Sequence, residues 1–476
     1  MKKALSILLA SSMMLSLAAC GGKDTVSTTA ASEAAKPAAD SGQGESKAEE
    51  AKAPSEGEPM EITIWLTPSW KGVFSGDEPG ADYDSFFVEA GKRYTENVNP
   101  NVTFKVEVIP GDSRDEKLNV AESTNTLPDI VYEGAFTLSS YYHKGSIVTI
   151  DDIITEDDRK DIAAGIWDNC QVEGSTFIFP FAHMPGTLVY NADMFREAGL
   201  DDKIAGQYEI ATWTPDELKE ILTTLKEKNP NVYPMSLFAM NNQGDTWNLT
   251  WLRMFGNKFY GDDGHLIVNE ESGVKALQYL LDLYSNGLTV PGAESLTSND
   301  CNAMFQNKQI AVSFTNSTLF TNLQTDMTNG TIEPFDARLA NIPGEPSPNS
   351  FTYVSGFMAM NTGKEERIAA AKDFIDYVCH DPELVLASKN TLPVRESVTK
   401  AVSDELLFLP AYTENAKYIY NFSNNIPGYN ELRNVLFPEL QAAFTGQKTA
   451  QEALDSYVEK GNVIIDEGRK NSVIYN

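Results

Sequence analysis

The stretch Phe177–Leu200, FIFPFAHMPGTLVYNADMFREAGL, changes hydrophobic pattern part-way along its length. Apolar residues alternate over 177–181, and a bend is expected where Pro180 and Gly186 interrupt the run. A second apolar run follows, and residues 192–199 then have helical spacing up to a glycine stop. Strand, bend, strand and helix in one segment are typical of a connection between two layers. We therefore predict that the chain first crosses between two lobes here.

The length and charge of the chain restrict its number of domains and its classes of partner. A chain of 476 residues is too long for one compact core, so at least two domains are expected. The formal net charge is -31, from 37 basic and 68 acidic residues. Such a field repels phosphate backbones, so the composition excludes nucleic acid as a partner and favours a soluble, globular protein.

The first residues have the pattern of an export signal. Lys2 and Lys3 precede an apolar run over residues 4–19, which is too short to span a membrane. The run ends Leu-Ala-Ala-Cys-Gly, which resembles the lipobox of bacterial lipoproteins, and Cys20 would then become lipidated. The alternative is an ordinary signal cut after Ala19. We predict a signal peptide over 1–19, and then a disordered tether over 20–59, which is poor in large apolar residues.

Three further cysteines remain, Cys170, Cys301 and Cys379. An odd number leaves at least one of them unpaired, and their spacing does not fit a zinc site. We interpret all three as small buried thiols, and we expect no metal or other cofactor.

Strand and helix patterns alternate through the ordered part of the chain. Ile62, Ile64 and Leu66 alternate with polar residues, and the same pattern recurs over 102–108 and more briefly over 130–131. Helical patterns lie between these runs, joined by short turns. This alternation predicts an α/β fold with mostly parallel sheets and helices on both faces.

Short motifs spread over nearly the whole chain resemble one family. The motifs are LPDIV at 127–131, FPFA at 179–182, LVYN at 188–191, MFREAG at 194–199, TWTPDEL at 212–218, AMF at 303–305, QIA at 309–311, LPVR at 392–395 and FTGQ at 444–447. In order and spacing they resemble the family 1 extracellular solute-binding proteins of ABC importers, which include the maltose- and oligosaccharide-binding proteins. Asn307 and Lys308 stand where that family commonly has glycine, a small departure.

The resemblance implies a two-lobed, periplasmic-binding-protein-like fold of type II with the ligand between the lobes. The first lobe would hold residues 60–183 and 355–403, and the second 184–354 and 404–476. The hinge between them would contain Ala182, Gly186, Ser355 and Gly356. The implied protein is a monomeric, lipid-anchored, extracytoplasmic binding protein that is not an enzyme. It delivers a carbohydrate to the transmembrane subunits of an ABC permease.

A sugar site needs aromatic rings for the flat sugar faces and polar side chains for the hydroxyl groups. In α/β sheets such groups lie at the carboxyl ends of strands. The candidates lie after strands, at the two crossovers, in the polar loop 241–247 and the turn after it, and at the start of a late helix. They are Trp70, Tyr132, Glu133, His183, Asp245, Trp247, Trp251, Asn316, Tyr353, Tyr429 and Arg433. Each also has a plainer interpretation as a packing residue, and for His183 it is that of a satisfied interior histidine.

Two other classes of function remain open at this point. A secreted glycosidase would need paired carboxylates, but 68 acidic residues make any such pair uninformative, and no G-x-S-x-G, HExxH or P-loop motif occurs. Residues 262–264, Asp-Asp-Gly, resemble the start of a calcium loop without its remaining ligands, so a turn is expected. A peptide, polyamine or metal could also replace the sugar as the bound solute.

Overall fold

The computed structural model describes residues 58–68, 82–110, 113–240, 244–404 and 407–476, which belong to one compact unit. Its strands are β1 Met60–Leu66, β2 Val102–Val108, β3 Ile130–Gly134, β4 Gln171–Val172, β5 Ser175–Thr176, β6 Phe179–Asn191, β7 Ile210–Ala211, β8 Tyr233–Met235, β9 Ile310–Asn316, β10 Ala337–Ala340 and β11 Thr352–Ala359. Its α-helices are α1 Ser85–Asn97, α2 Arg114–Thr124, α3 Ala135–His143, α4 Glu156–Asp161, α5 Ala164–Trp167, α6 Ala192–Glu197, α7 Pro215–Lys228, α8 Asp245–Leu252, α9 Glu271–Ser285, α10 Ser298–Gln306, α11 Ser317–Thr328, α12 Glu365–His380, α13 Pro382–Leu386, α14 Glu396–Ala401, α15 Leu409–Asn415, α16 Tyr429–Phe444 and α17 Ala450–Lys470.

Strand β6 belongs to two sheets, as the opening pattern of the sequence predicts. Its first half pairs with β11 in the order β2-β1-β3-β11-β6, and its second half pairs with β10 and β9. The change occurs within one step, because Pro185 pairs with Thr352 of β11 whereas Gly186 pairs with Asn316 of β9. The single strand therefore carries the chain from a first lobe, built on β1–β3, into a second lobe, built on β7–β10.

The α/β class is confirmed, but the sheets are mixed in direction. The pairs β1–β2, β1–β3, β7–β10 and β8–β9 are parallel, as predicted. The connecting strands β6 and β11 run antiparallel to each other and to their outer neighbours. The direction reverses there because β6 leaves the first lobe while β11 returns to it.

Helices cover both faces of each sheet. In the second lobe Leu188 and Tyr190 point into one buried cluster, while Val189 points into another on the opposite face. In the first lobe Ile64 and Val131 divide between two clusters in the same way. Successive side chains of a strand point to opposite faces of the sheet. A strand that is buried on both faces is therefore apolar at every position. The predicted lobe boundaries stay a prediction.

The hinge region is more closely packed than its glycines suggest. Instead of bending at Pro180, β6 is continuous, and Pro180 lies at a register shift opposite Gly356, where a strand tolerates proline. A Cβ atom built on Gly356 would lie 2.0 Å from the Phe179 carbonyl oxygen, and one on Gly186 would lie 2.2 Å from the Phe351 ring. Close approach thus requires glycine at both positions, and their role in a hinge stays a prediction.

Two predicted helix starts form as capping boxes. The Thr214 side chain accepts from the Glu217 N–H, and the Glu217 carboxylate accepts from the Thr214 N–H. Thr449 and Glu452 make the same exchange at the start of α17. These local bonds satisfy backbone donors that the first helical turn leaves open.

The three cysteines of the described chain are unpaired and buried, as predicted. Burial raises the pKa of the Cys301 thiol to about 12, so this thiol is protonated and unreactive at neutral pH. In the described ranges, none of the helices combines the length and the apolar character needed to cross a bilayer.

Candidate functional site

Strands of both lobes end beside the crossing of β6 and β11. Gly134, at the end of β3, pairs with Ser355, and Asn316, at the end of β9, pairs with Gly186. Helices α3 and α11 begin directly after these strands. The carboxyl ends of the strands in both lobes therefore face one region, which is where ligands bind in α/β sheets.

An aromatic cluster occupies this region. We define it as Phe136, Trp247, Phe314, Phe351 and Tyr353. The Tyr353 ring lies 5.1 Å from Phe136, 5.2 Å from Phe351 and 6.3 Å from Trp247, measured between centroids. The cluster joins α3 of the first lobe, strand β11 and α8 of the second lobe, although its members are far apart in sequence.

A buried ion pair lies against this cluster. Asp245, the first residue of α8, accepts from Arg433 Nη2 at 3.0 Å and from Tyr429 Oη at 2.9 Å. Tyr429 and Arg433 are one helical turn apart on α16, so both side chains reach the same carboxylate. The Arg433 guanidinium also lies 5.7 Å from the Phe136 ring. The start of a helix stabilises the negative charge of this carboxylate, and Asp245 is only 1% exposed.

The ion pair affects the protonation of its neighbours. Burial raises the pKa of Tyr429 well above its usual value, and the negative charge of Asp245 adds to the increase. Burial also lowers the pKa of Arg433, but Asp245, Tyr429 and Tyr353 together outweigh this effect and the net shift is upward. The site therefore holds a neutral phenol and the Arg433 cation at neutral pH.

A second polar group forms at the strand ends of the first lobe. The Glu133 carboxylate accepts from the Gly134 N–H at 2.7 Å and from the Thr67 hydroxyl, and it lies 3.4 Å from Arg114 Nη1. Its side chain is 12% exposed, and that of Arg114 is 16% exposed. Glu133 was predicted from its position near the carboxyl end of the third strand. Arg114 lies at the start of α2, the helix that follows β2, and a search of the connections after strands could have found it.

Three other predicted residues have packing or capping contacts in the described structure. The Tyr132 ring packs on Phe87 and Phe357 at 5.0 and 4.9 Å in the core of the first lobe. Trp251 is 5% exposed within the core of the second lobe. Asn316 caps α11 by accepting from the Leu319 N–H. These contacts agree with the plainer interpretation of the three side chains, and their role in ligand binding stays a prediction.

His183 lies in the interior of the protein, in agreement with its plainer interpretation. It is 5% exposed, and its Nδ1 lies 3.1 Å from Thr352 Oγ1. Its backbone N–H donates to the Leu392 carbonyl, so β6 is bordered there by the LPVR turn. Burial lowers the pKa of His183 to about 3, and the ring is neutral at physiological pH.

This burial predicts a loss of stability in mild acid. The unfolded chain binds a proton at a pKa of about 6.5 and the folded chain only near 3, so stability falls as the pH drops through this window. From about pH 7 to about pH 5 the contribution of His183 to the free energy of unfolding should fall by roughly 2 kcal/mol. Urea unfolding of the wild type and of His183→Gln at both pH values measures it.

His265→Gln is the matched control for that measurement. Hydrogen bonds to Asp263 and Asp466 raise the pKa of His265, so its stabilising effect is present below about pH 6.5 and is lost as the pH rises. The control should therefore lose more stability in acid than the wild type, and His183→Gln should lose less. If the free energy of unfolding had the same pH dependence in His183→Gln and in the wild type, the lowered pKa of His183 would be contradicted.

A separate pocket of about 450 Å³ lies along α16, with Asn430 and Glu431 of that helix in its lining. It lies between α2 and α3 of the first lobe and α16 and α17 of the second. Its polar lining residues include Asp115, Asn119, Tyr141, Asn430, Glu431 and Glu467. Its volume is in the usual range for a small-molecule site, and its hydrogen-bonding groups suit a ligand rich in hydroxyl groups. Beside Tyr353 and Tyr429, by contrast, a cavity of only about 10 Å³ remains.

Several residues at the site were not predicted from the sequence, and two predicted residues lie outside the described part of the chain. Phe136, Arg114 and Thr67 were missed, although Thr67 directly follows β1 and the other two lie in the first turns of the helices after β3 and β2. Trp70 and Cys20 lie outside the described residues. Within the described part of the chain, no group of three or more His, Cys, Asp or Glu side chains could hold a metal ion.

Comparison with known proteins supports this architecture. A binding protein of Brucella abortus is 22% identical over 395 residues, which is 82% of this chain and 92% of that protein. The sn-glycerol-3-phosphate-binding periplasmic protein UgpB of Escherichia coli K12 is 24% identical over 319 residues, which is 62% of this chain and 68% of that protein.

The fold is also that of a solved binding protein. The structure of the cyclic α-maltosyl-1,6-maltose binding protein of Arthrobacter globiformis matches with a TM-score of 0.70 at 21% identity. The match covers 86% of this chain and all of that one (100%). The sequence profile of bacterial extracellular solute-binding proteins matches residues 78–379, more than half of the chain. The chain therefore belongs to the family of bacterial extracellular solute-binding proteins.

Proposed function

We propose that this chain captures an uncharged carbohydrate, an oligosaccharide in particular, between its lobes. The observation that carries the proposal is that strand ends of both lobes meet at an aromatic cluster and a buried ion pair. A separate polar pocket of about 450 Å³ lies between helices of the two lobes and has the Tyr141 ring in its lining. Hydroxyl groups need acceptors and donors in the lining, and sugar faces need aromatic rings near them. The fold shared with a maltosyl-maltose binding protein supports the same ligand class.

The charges of the site favour a neutral ligand over a phosphorylated one. Lys144 is the one lysine or arginine among the described lining residues of the pocket, and its Nζ lies 3.2 Å from Glu122. Arg433 and Arg114 each face a carboxylate of their own. A phosphate would therefore meet paired cations and a pocket lined by three carboxylates. An organic cation such as a polyamine is the second candidate, because those carboxylates would attract it.

The proposal also includes delivery of the ligand to a permease and attachment of the protein to the membrane. Members of this family bind solutes outside the cytoplasm, and we infer that the ligand-bound, closed form is passed to the transmembrane subunits of an ABC permease. We also infer that lipidation of Cys20 tethers the protein to the membrane surface, and that it acts as a monomer.

Thermal shift and titration calorimetry test the ligand class. The panel contains maltose, maltotetraose and laminaribiose as neutral sugars, with sn-glycerol 3-phosphate and spermidine as charged solutes. A sugar at about 100 times its dissociation constant should stabilise the folded protein by roughly 2.7 kcal/mol. The charged solutes should give no shift. Binding of spermidine or of the phosphate alone would contradict the proposal.

A pair of tyrosine variants locates the site. Tyr353→Ala removes a ring of the aromatic cluster and should weaken sugar binding by about tenfold. Tyr208→Ala is the matched control, because this ring is 40% exposed and packs on Phe408, away from the aromatic cluster. Equal affinity of both variants for the sugar would show that the ligand binds elsewhere.

A further inference from the structure

Two segments of the second lobe reach across to the first. Phe422 is part of the second lobe's core, yet the neighbouring Asn421 and Asn425 contact the first lobe. Residues 472–475 follow α17, a helix of the second lobe, and lie against α3 and the β4–β5 turn. We call segments 421–425 and 472–475, with His143 between them, the clasp.

Asn425 attaches the first segment. Its side chain is 1% exposed, and Nδ2 donates to the carbonyl oxygens of Asn169 and Gln171 at 3.0 and 2.9 Å. Its φ is 44°, in the left-handed region, which asparagine tolerates better than most residues. Both amide hydrogens therefore bind backbone oxygens of the other lobe.

His143 joins the two segments. It ends α3 of the first lobe and is 2% exposed. Its Nε2 lies 2.7 Å from the Asn425 carbonyl oxygen, and its Nδ1 lies 2.9 Å from Ser472 Oγ. A carbonyl can only accept, so Nε2 carries the hydrogen and Nδ1 accepts from Ser472. One neutral imidazole thus binds both segments of the second lobe.

The second segment adds contacts of three kinds. The Val473 N–H donates to the His143 carbonyl at 2.8 Å. The Tyr475 ring stacks on His143 at 5.7 Å and 13°, and its hydroxyl donates to Glu173 at 2.9 Å. Ile474 packs against a buried cluster of the first lobe. These are hydrogen-bonded, aromatic and apolar contacts between the same two lobes.

Pockets lie on either side of the clasp. The pocket of about 450 Å³ includes His143 and Ser472 in its lining, and another of about 510 Å³ includes Asn421, Asn424 and Tyr475. Both pockets are lined by residues of both lobes. Water can therefore replace the hydrogen bonds of the clasp when the lobes separate, and each net loss is small.

We propose that the clasp holds the two lobes in their closed arrangement, and that it must release before the lobes can open. Strands β6 and β11 connect the lobes, and a rotation about them would separate surfaces that lie away from these strands. Segment 421–425 lies beside β11, since residues of both line one small cavity. Residues 472–475 instead contact His143, at the end of α3 that is remote from the strands, and so join surfaces that such a rotation would separate. The clasp therefore sets how much of the ligand-free protein is open, whatever ligand it binds.

Conservative variants of the full chain test this inference without any ligand. Ser472→Ala with Tyr475→Phe removes two hydrogen bonds of the clasp and keeps the side-chain shapes. Ser285→Ala with Tyr208→Phe makes the same chemical change at exposed positions of the second lobe. Asn425→Gly breaks the other half of the clasp and keeps the left-handed backbone favourable.

Hydrogen–deuterium exchange and X-ray scattering are the two measurements. The clasp variants should lose about tenfold in amide protection around Val473, and their scattering should shift to a larger radius of gyration. The control should match the wild type in both. Faster exchange with unchanged scattering would overturn the inference, because the clasp would then be only a local contact. No change in either measurement would overturn it as well.

Discussion

Arg433→Ala is expected to lower the free energy of unfolding by about 3 to 5 kcal/mol, because it leaves a buried carboxylate without its cation. Asp245 is 1% exposed and would keep only the hydroxyl of Tyr429 as a side-chain partner among the contacts described above. Chemical denaturation measures the loss. Sugar affinity should fall as well, since the Phe136 ring loses the guanidinium that lies against it.

Removing both charges should cost less than removing one. Asp245→Asn combined with Arg433→Met leaves no unpaired ion, and buried ion pairs can often be replaced by neutral groups at little cost. The exposed pair of Lys160 and Asp157 supplies the control, since its side chains are 72% and 95% exposed. Lys160→Ala should stay within about 0.5 kcal/mol of wild type. A double variant as unstable as Arg433→Ala would mean that shape, and not charge, decides the loss.

Gly186→Ala should cost about 2 to 3 kcal/mol and should also disturb the ligand site. The added Cβ would lie 2.2 Å from the Phe351 ring, so that ring must move. Phe351 packs on Trp247 at 5.1 Å and on Tyr353 at 5.2 Å, and its displacement therefore reaches the aromatic cluster. Both the midpoint of unfolding and the sugar affinity should fall.

A double variant separates steric conflict from lost flexibility. Phe351→Leu makes room beside residue 186, so Gly186→Ala should cost much less in its presence. Gly165→Ala is the control, because the nearest atom to its added Cβ is 3.9 Å away. That change should cause no loss of stability. Additive losses in the double variant would show that Gly186 is needed for movement and not for space.

The sequence predicted the architecture well because its signals are local. Alternating apolar residues in β6 and the capping boxes of α7 and α17 depend on neighbours within a few positions. The same holds for the position of Glu133 at the end of β3. Asp245 and Arg433 were each chosen as candidates from such positions, but their pairing was not predicted.

The roles of individual side chains depended on which layers cover them. Tyr132 follows the rule for a ligand contact at a strand end, yet Phe87 and Phe357 from other elements enclose it. His183 was a candidate ligand residue, whereas β11 and the LPVR turn border its strand on both sides. Neither fact can be derived from neighbouring residues, because burial is a property of the packed chain.

By itself, the sequence determined that this protein has alternating strands and helices, a crossing at residues 177–200 and the motifs of a solute-binding family. The tertiary structure alone decided that Gly186 makes room for a ring, that Asp245 pairs with Arg433, and that residues 472–475 clasp the opposite lobe. The physical reason is the separation along the sequence of the residues that determine each feature. Secondary structure follows from periodicities a few residues long, whereas a site forms from side chains that only the folded chain brings within a few ångströms of one another.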